Sequence, residues 1–167
     1  MNGDLLERAS WTWGLSLIAL TVAIHALGIV IIALVLEQIR LRLGLNNRSL
    51  GLGYVIPIVI GLIGAVRLLL AVLHGIEATI WAAAYLRLGA LDSPIDAILY
   101  SVDSMSTRGA SGLTLQRHWK MMGALEAADG MLLFGISTAY IFAVMQVYWP
   151  MLSREQRRDQ PAAARPD

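Results

Sequence analysis

SPIDAILYSVDSMSTRGASG, residues 93–112, begins with a helix that is too short to cross a membrane. Ser93 is a typical N-cap, Pro94 suits the first helical position, and Asp96 favours the positive end of a helix. Helical spacing then creates one apolar face, formed by Ile95, Ile98, Leu99, Val102 and Met105. We expect this face to pack against apolar neighbours. The predicted helix, residues 94–106, has about three turns, or ~18 Å, against a hydrocarbon core of ~30 Å.

The remainder of the chain has the composition of an integral membrane protein. Hydrophobic residues make up 57% of it and charged residues 15%, with a mean hydropathy of +0.62. That leaves too little polar surface to cover a soluble globule of this size. Segments long enough to span occur at about residues 11–42, 52–91 and 119–149. We predict an all-α membrane domain, residues 1–150, followed by a disordered cytoplasmic tail, residues 151–167.

Several functional classes receive no support from the sequence. The absence of cysteine excludes disulfides and thiolate metal sites, and a formal net charge of +1 gives no indication of nucleic-acid binding. The chain has no nucleophile-and-base pattern, no phosphate-binding loop and no His-Glu-x-x-His motif. We therefore expect no enzymatic activity, no cofactor and no metal.

Arginine distribution indicates how the spans are oriented. Arginines concentrate between the first two spans and in the tail, at Arg40, Arg42, Arg48, Arg154, Arg157, Arg158 and Arg165. The positive-inside rule assigns both regions to the cytoplasm. The N-terminus has no signal-peptide pattern, so we expect the first span to be retained, with the N-terminus outside and the C-terminus in the cytoplasm. Residues 92–118 then lie on the outer side.

A helix this short cannot cross the bilayer, so we expect it to re-enter, as a re-entrant pore helix followed by a filter loop. Re-entry would carry the non-helical residues 107–115 into the membrane. Irregular backbone at that depth is tolerated only where protein buries it or water lines it, which favours an oligomer or an enclosed cavity. The alternative of an interfacial helix and loop remains open from the sequence.

Residues 97–112, AILYSVDSMSTRGASG, resemble the pore helix and selectivity filter of potassium channels, whose filter usually reads Thr-Thr-(Val/Leu)-Gly-Tyr-Gly-Asp. The following WKMMGALEAADGMLLFGISTA, residues 119–139, is similar to the inner helix of small bacterial channel proteins with three spans. His25-Ala-Leu-Gly and His74-x-x-Glu77 fit the same family. The resemblance covers about residues 11–149. It implies a homotetramer in the bacterial inner membrane, in which four re-entrant loops meet on an axis and inorganic ions permeate.

The filter-like segment, residues 106–112, departs from the potassium-channel pattern. Gly109 keeps the first glycine, but Ala110 stands at the tyrosine position, Ser111 at the second glycine and Gly112 at the aspartate. Serine where positive φ is required costs about 1 kcal/mol or more. We therefore predict a pore without potassium selectivity. Carbonyls and the hydroxyls of Ser106, Thr107 and Ser111 would give a weakly selective path for monovalent cations.

Arg108 stands at the (Val/Leu) position of the filter pattern and allows three arrangements. In the resembled family this side chain points toward the pore helix, so a buried pair with Asp103, which lies behind the filter, is the first interpretation. Four axial arginines would instead repel cations and favour anions. A solvent-facing arginine is the third arrangement. A non-conducting structural or regulatory protein, with its filter closed around Arg108, is the alternative function.

The spans carry further polar residues that suggest structural or functional roles. Arg67, His74 and Glu77 recur on one face of the second span, as a polar stripe that locks neighbouring helices or as a proton-sensitive gate. His74 and Glu77 can satisfy each other, and such a pair alone is a weak metal signal. His25 would add a third ligand only if the first two spans brought it level with His74.

The third span carries two further polar pairs. Glu126 and Asp129 fall near its start, where we expect them to support the fold. Ser137 and Thr138 are predicted to line an inner cavity, although such hydroxyls often bond only their own backbone.

Overall fold

The computed structural model describes residues 2–43, 52–109 and 112–158, which form helices and no strand. The four α-helices are α1 (Asn2–Leu43), α2 (Leu52–Arg87), α3 (Pro94–Met105) and α4 (Lys120–Arg158). One turn of 3-10 helix, Arg117–Trp119, leads into α4. Three of the helices, α1, α2 and α4, are long and apolar enough to cross a membrane. The prediction of an all-helical, multi-pass membrane protein is confirmed at this level.

The three long helices extend beyond the thickness of a bilayer. Their 42, 36 and 39 residues correspond to about 63, 54 and 58 Å, against a hydrocarbon core of ~30 Å. The tail predicted to be disordered from residue 151 is helical as far as Arg158. Arginine, glutamate and glutamine are good helix formers, which accounts for this extension. Residues 159–167 lie outside the described part of the chain.

α2 ends at Arg87, four residues before the predicted end at Leu91, because a glycine cap follows it. Gly89 has φ +65°, and its N–H donates to the Leu86 carbonyl at 3.2 Å while the Ala90 N–H donates to the Tyr85 carbonyl at 2.9 Å. This is a Schellman motif, in which a left-handed residue satisfies the last carbonyls of a helix. The apolar run continues past the cap, so hydropathy alone does not reveal where the helix ends.

Hydrogen bonds between helices give their relative direction. Ser10 bonds Met122, Thr21 bonds Asp129 and His25 bonds Ser137, at sequence separations of 112, 108 and 112. Because these separations stay nearly constant, α1 and α4 run parallel. Partners on α2 occur in reverse order along α4, so α2 is antiparallel to both. The first part of α1, the end of α2 and the start of α4 therefore lie at one end of the bundle.

Three apolar clusters of buried residues follow one another along the bundle. The cluster at the α3 end contains Leu17, Trp81, Tyr85, Ala90, Leu115, Trp119 and Met122. The middle cluster contains Ile32, Val66, Leu70 and Leu73. The cluster at the far end contains Val59, Val144 and Tyr148. A set of buried polar side chains lies between the first two clusters.

The short helix α3 packs between α2 and α4. As predicted, the Ser93 side chain caps it, accepting from the Asp96 N–H at 3.3 Å, with Pro94 in its first turn. Its buried face is small and polar, formed by Ala97, Ser101, Asp103 and Ser104. Of the apolar face expected to pack against apolar neighbours, only Met105 packs against the chain's own core. The rest of the face points away from the chain's own helices, since Ile95, Ile98, Leu99 and Val102 are exposed.

The C-terminal end of α3 lies against α4 where α4 has no side chain. A Cβ at Gly130 would collide with the backbone of Met105, including its carbonyl oxygen and, at 2.6 Å, its Cα. Gly130 is therefore a close-packing point between α3 and α4. Gly135, five residues further along α4, has nothing within 4 Å of the position that a Cβ would occupy.

Candidate functional site

The filter-like segment begins with a capping turn at the end of α3. The Thr107 N–H donates to the Ser104 carbonyl and the Arg108 N–H to the Asp103 carbonyl, both at 3.0 Å. This is the same Schellman pattern that ends α2, but Thr107, with φ +58°, takes the left-handed position that Gly89 takes there. A β-branched residue in that region is strained by about 1–2 kcal/mol. The segment thus leaves α3 through a tight turn.

Asp103 holds Arg108 through its side chain as well as through its carbonyl. The Arg108 Nε lies 3.3 Å from Asp103 Oδ1. The pair expected from the sequence is therefore present, with one difference. Only the carboxylate is buried, at 3% exposure, whereas the arginine side chain is 69% exposed. A long arginine stem can reach a buried partner while its guanidinium stays at the surface.

The other described residues of the segment lie at the surface of the single chain. Ser106, Thr107 and Gly109 are exposed, and the Ser106 hydroxyl donates to the Asp103 carbonyl at 3.2 Å. Gly109 and Gly112 are left-handed, with φ of +80° and +77°. Glycine is the residue that adopts this backbone without penalty. Ala110 and Ser111, two of the predicted site residues, lie outside the described residues.

Two fully buried carboxylic acids lie behind α3, on α4. Glu126 Oε2 accepts from the Tyr85 hydroxyl at 2.7 Å. Asp129 Oδ2 accepts from the Thr21 hydroxyl at 2.6 Å and from the Trp81 indole N–H at 3.1 Å. These bonds join α4 to both α1 and α2. Sequence reasoning noticed the two acids but not their partners, since the register between distant helices leaves no local signal.

A second polar group lies deeper in the bundle, at the contact of α1, α2 and α4. His25 Nδ1 lies 2.8 Å from Glu77 Oε1, and His25 Nε2 lies 3.1 Å from the Ser137 hydroxyl. His74 Nδ1 lies 2.8 Å from the Leu70 carbonyl. The expected mutual contact of His74 and Glu77 is therefore wrong. Glu77 bonds His25 on α1 instead, because His25 is buried beside it. His74 bonds the Leu70 carbonyl of its own helix.

Two further expectations about the spans need correction. Ser137 does not line an inner cavity in this chain, because its buried hydroxyl contacts His25 inside the bundle. Thr138 is exposed and donates to the Phe134 carbonyl of its own helix at 2.9 Å. Arg67 is also exposed, so it does not join the interior stripe with Glu77. The α-helical period of 3.6 residues moves it off the buried face.

The described residues therefore carry two candidate sites. One is the surface segment after α3, fixed by Asp103, and the other is the internal group around His25 and Glu77. No protein-family model, curated protein or solved structure matches this chain.

Proposed function

We propose that the chain is one subunit of a homotetrameric pore-loop channel in the bacterial inner membrane, which passes monovalent cations weakly selectively and without preference for potassium. The observation that carries this proposal is the depth reached by α3. Its last residue, Met105, lies against Gly130, ten residues after the start of α4 at Lys120. That distance is about 15 Å along α4. Gly130 also lies only three residues before residue 133, the middle of the apolar stretch Arg117–Trp149, and therefore near the middle of the span.

The chain then returns to the end of the bundle from which it came. Leu115 packs with Trp119 and Met122 at the start of α4. Descent to Gly130 followed by return is the path of a re-entrant loop. A helix lying along the membrane surface would not contact α4 as far along as Gly130. The packing therefore supports re-entry over the interfacial alternative.

The outward face of α3 supports an assembly of several chains. Ile95 is 78% exposed, and Ile98, Leu99 and Val102 are also exposed. A re-entrant helix leaves irregular backbone in the membrane, which needs protein or enclosed water around it. Neighbouring subunits would cover the exposed face of α3 and would also surround the irregular backbone that follows it. Four chains around one axis is the arrangement implied by the resemblance to potassium channels.

Electrostatics supports cations over anions. The carboxyl end of α3 carries a partial negative charge of about half an elementary charge, directed toward mid-membrane. Arg108, the residue that could favour anions, lies 3.3 Å from the Asp103 carboxylate, so its charge is balanced locally. This pairing is the reason to prefer cation passage over an axial ring of four guanidinium groups.

The backbone after α3 supports the proposal that the pore does not select potassium. A potassium filter presents successive carbonyls to the ion and braces them with a tyrosine. Here the N–H groups of Thr107 and Arg108 are tied back to α3, and Ala110 replaces the tyrosine. A loop fixed in this way has a capping turn where the filter would begin.

Planar-bilayer recording of the purified protein tests the proposal, with gradients of potassium, sodium and chloride. We expect a cation current whose reversal potential barely changes when sodium replaces potassium. Because the chain has no cysteine, wild type should be insensitive to a cationic thiol reagent. Ser106→Cys should become blocked by it, since residue 106 lies in the proposed pore.

A matched cysteine at Glu7, an exposed residue near the start of α1, controls for reaction away from the pore. Glu7→Cys should react without losing current. Silence under all gradients, from protein that elutes as a folded oligomer, would overturn conduction and favour the non-conducting alternative. A potassium-only or chloride-only reversal potential would overturn the selectivity part.

A further inference from the structure

The buried group around His25 has donor atoms that the proposed pore does not use. His25, His74 and Glu77 each offer one ligand atom, and these atoms all lie within 4.8 Å of one another. His25 and Glu77 are fully buried, and His74 is half-buried. The group joins α1 to α2 inside the bundle, away from α3 and from the filter-like segment.

The contacts of His74 leave its Nε2 nitrogen without a partner. Its Nδ1 lies 2.8 Å from the Leu70 carbonyl, and a carbonyl oxygen can only accept, so the ring proton is on Nδ1. In the neutral ring Nε2 then carries a lone pair, and it is buried without a hydrogen-bond partner among the described residues. A histidine that ligates a metal uses this arrangement, donating its other N–H to a backbone carbonyl.

Glu77 and His25 supply the remaining donors. Glu77 Oε2 is buried and has no hydrogen-bond partner among the described residues. His25 Nε2 lies 3.1 Å from the Ser137 hydroxyl and Nδ1 lies 2.8 Å from Glu77 Oε1, so with the ring proton on Nε2, where Ser137 accepts it, Nδ1 directs a lone pair at Glu77. Such a nitrogen and a carboxylate oxygen 2.8 Å apart need a positive charge between or beside them, either a proton or a metal ion.

We infer that His25, His74 and Glu77 form an intramembrane site for one divalent transition-metal ion of the zinc class. Two imidazoles with one carboxylate favour zinc over magnesium and calcium, which prefer oxygen ligands. Zinc–nitrogen bonds of about 2.0–2.1 Å place tetrahedral ligands about 3.3 Å apart. The observed spacing of up to 4.8 Å closes to this by small side-chain rotations. The half-buried His74 is the member nearest to an entry route.

Equilibrium dialysis of the purified full-length protein against Zn²⁺ tests the site, after treatment with a chelator. We expect one Zn²⁺ per chain, retained in excess Mg²⁺, and a higher Tm with the metal than without it. His74→Ala should weaken binding at least tenfold and abolish the Tm increase. Glu77→Gln, which keeps the size of the side chain and can still bond His25, should weaken binding as well.

The chain offers a matched control in its third histidine. His118 lies in the 3-10 turn against Trp119, outside the buried group. His118→Ala should bind Zn²⁺ like wild type. Absence of zinc binding by folded wild type overturns the site, and so does unchanged binding by His74→Ala. Neither result depends on conduction, so failure of the metal site and failure of the proposed pore are separate outcomes.

Discussion

Asp103, near the end of α3, fixes the position of Arg108 in the filter-like segment. Its carbonyl accepts from the Arg108 N–H and its carboxylate pairs with the Arg108 side chain. The Ser106 hydroxyl donates to the same carbonyl. A buried carboxylate without a compensating partner is costly, and Arg108 supplies that compensation from the surface.

A double-mutant cycle measures this pairing. Arg108→Gln should destabilise the protein by about 1–2 kcal/mol, because the Asp103 carboxylate loses its cation while it remains buried. Adding Asp103→Asn should recover part of that loss, with a coupling energy of about 1 kcal/mol, since the exposed guanidinium is screened by solvent. Equilibrium unfolding in detergent micelles gives the free energies.

The exposed Arg67 on α2 provides the reference for losing an arginine. Arg67→Gln should change the free energy of unfolding by less than about 0.5 kcal/mol. Strict additivity of the Asp103 and Arg108 substitutions would mean that the pair contributes nothing to the folded protein.

At the scale of helices, local patterns in the sequence identify the elements but not their partners. The start of α3 follows from Ser93 and Pro94, and the three spans follow from hydropathy. Neither gives the register in which α1 lies beside α4. His25 therefore looked isolated in the sequence, although the fold brings it to Glu77 and Ser137.

The outward face of α3 shows a second limit of pattern reading. Apolar periodicity predicts that a helix has an apolar face, and it does not say whether the covering surface belongs to the same chain. In α3 the chain's own helices cover the small and polar side instead. The side chains of Ser101 and Ser104 allow the close contact that larger apolar residues would prevent.

Close approach of α3 to α4 predicts different effects for two glycine substitutions in α4. In Gly130→Ala the added methyl group meets the Met105 backbone, which cannot rotate away, so we expect a loss of about 1–3 kcal/mol. Gly135→Ala adds a methyl group into open space and, because alanine is the better helix former, should leave stability unchanged or raise it by up to about 1 kcal/mol. Thermal unfolding of both variants in the same detergent checks the difference. Equal effects would contradict the packing of α3 on α4.

At the scale of the whole molecule, the single chain leaves two kinds of apolar surface. Some of it suits lipid, such as Leu34 on α1, which is 62% exposed. The outward face of α3, with Ile98, is the part that a neighbouring subunit would cover in the proposed tetramer. The two surfaces should therefore behave differently in a bilayer.

Spin labels distinguish these surfaces, and the cysteine-free chain accepts them one at a time. In reconstituted protein we expect a nitroxide at Ile98→Cys to collide rarely with dissolved oxygen, because protein shields it. One at Leu34→Cys should collide frequently, because lipid tails surround it. High oxygen accessibility at both positions would contradict a subunit interface on α3.

Ser10 links α1 to the start of α4, since its hydroxyl accepts from the Met122 N–H at 3.1 Å in the first turn of α4. N–H groups at that position have no partner within their own helix. During synthesis Ser10 leaves the ribosome more than a hundred residues before Met122, at a sequence separation of 112. α1 therefore cannot make this contact until the start of α4 has been translated, so this part of the bundle forms late in synthesis.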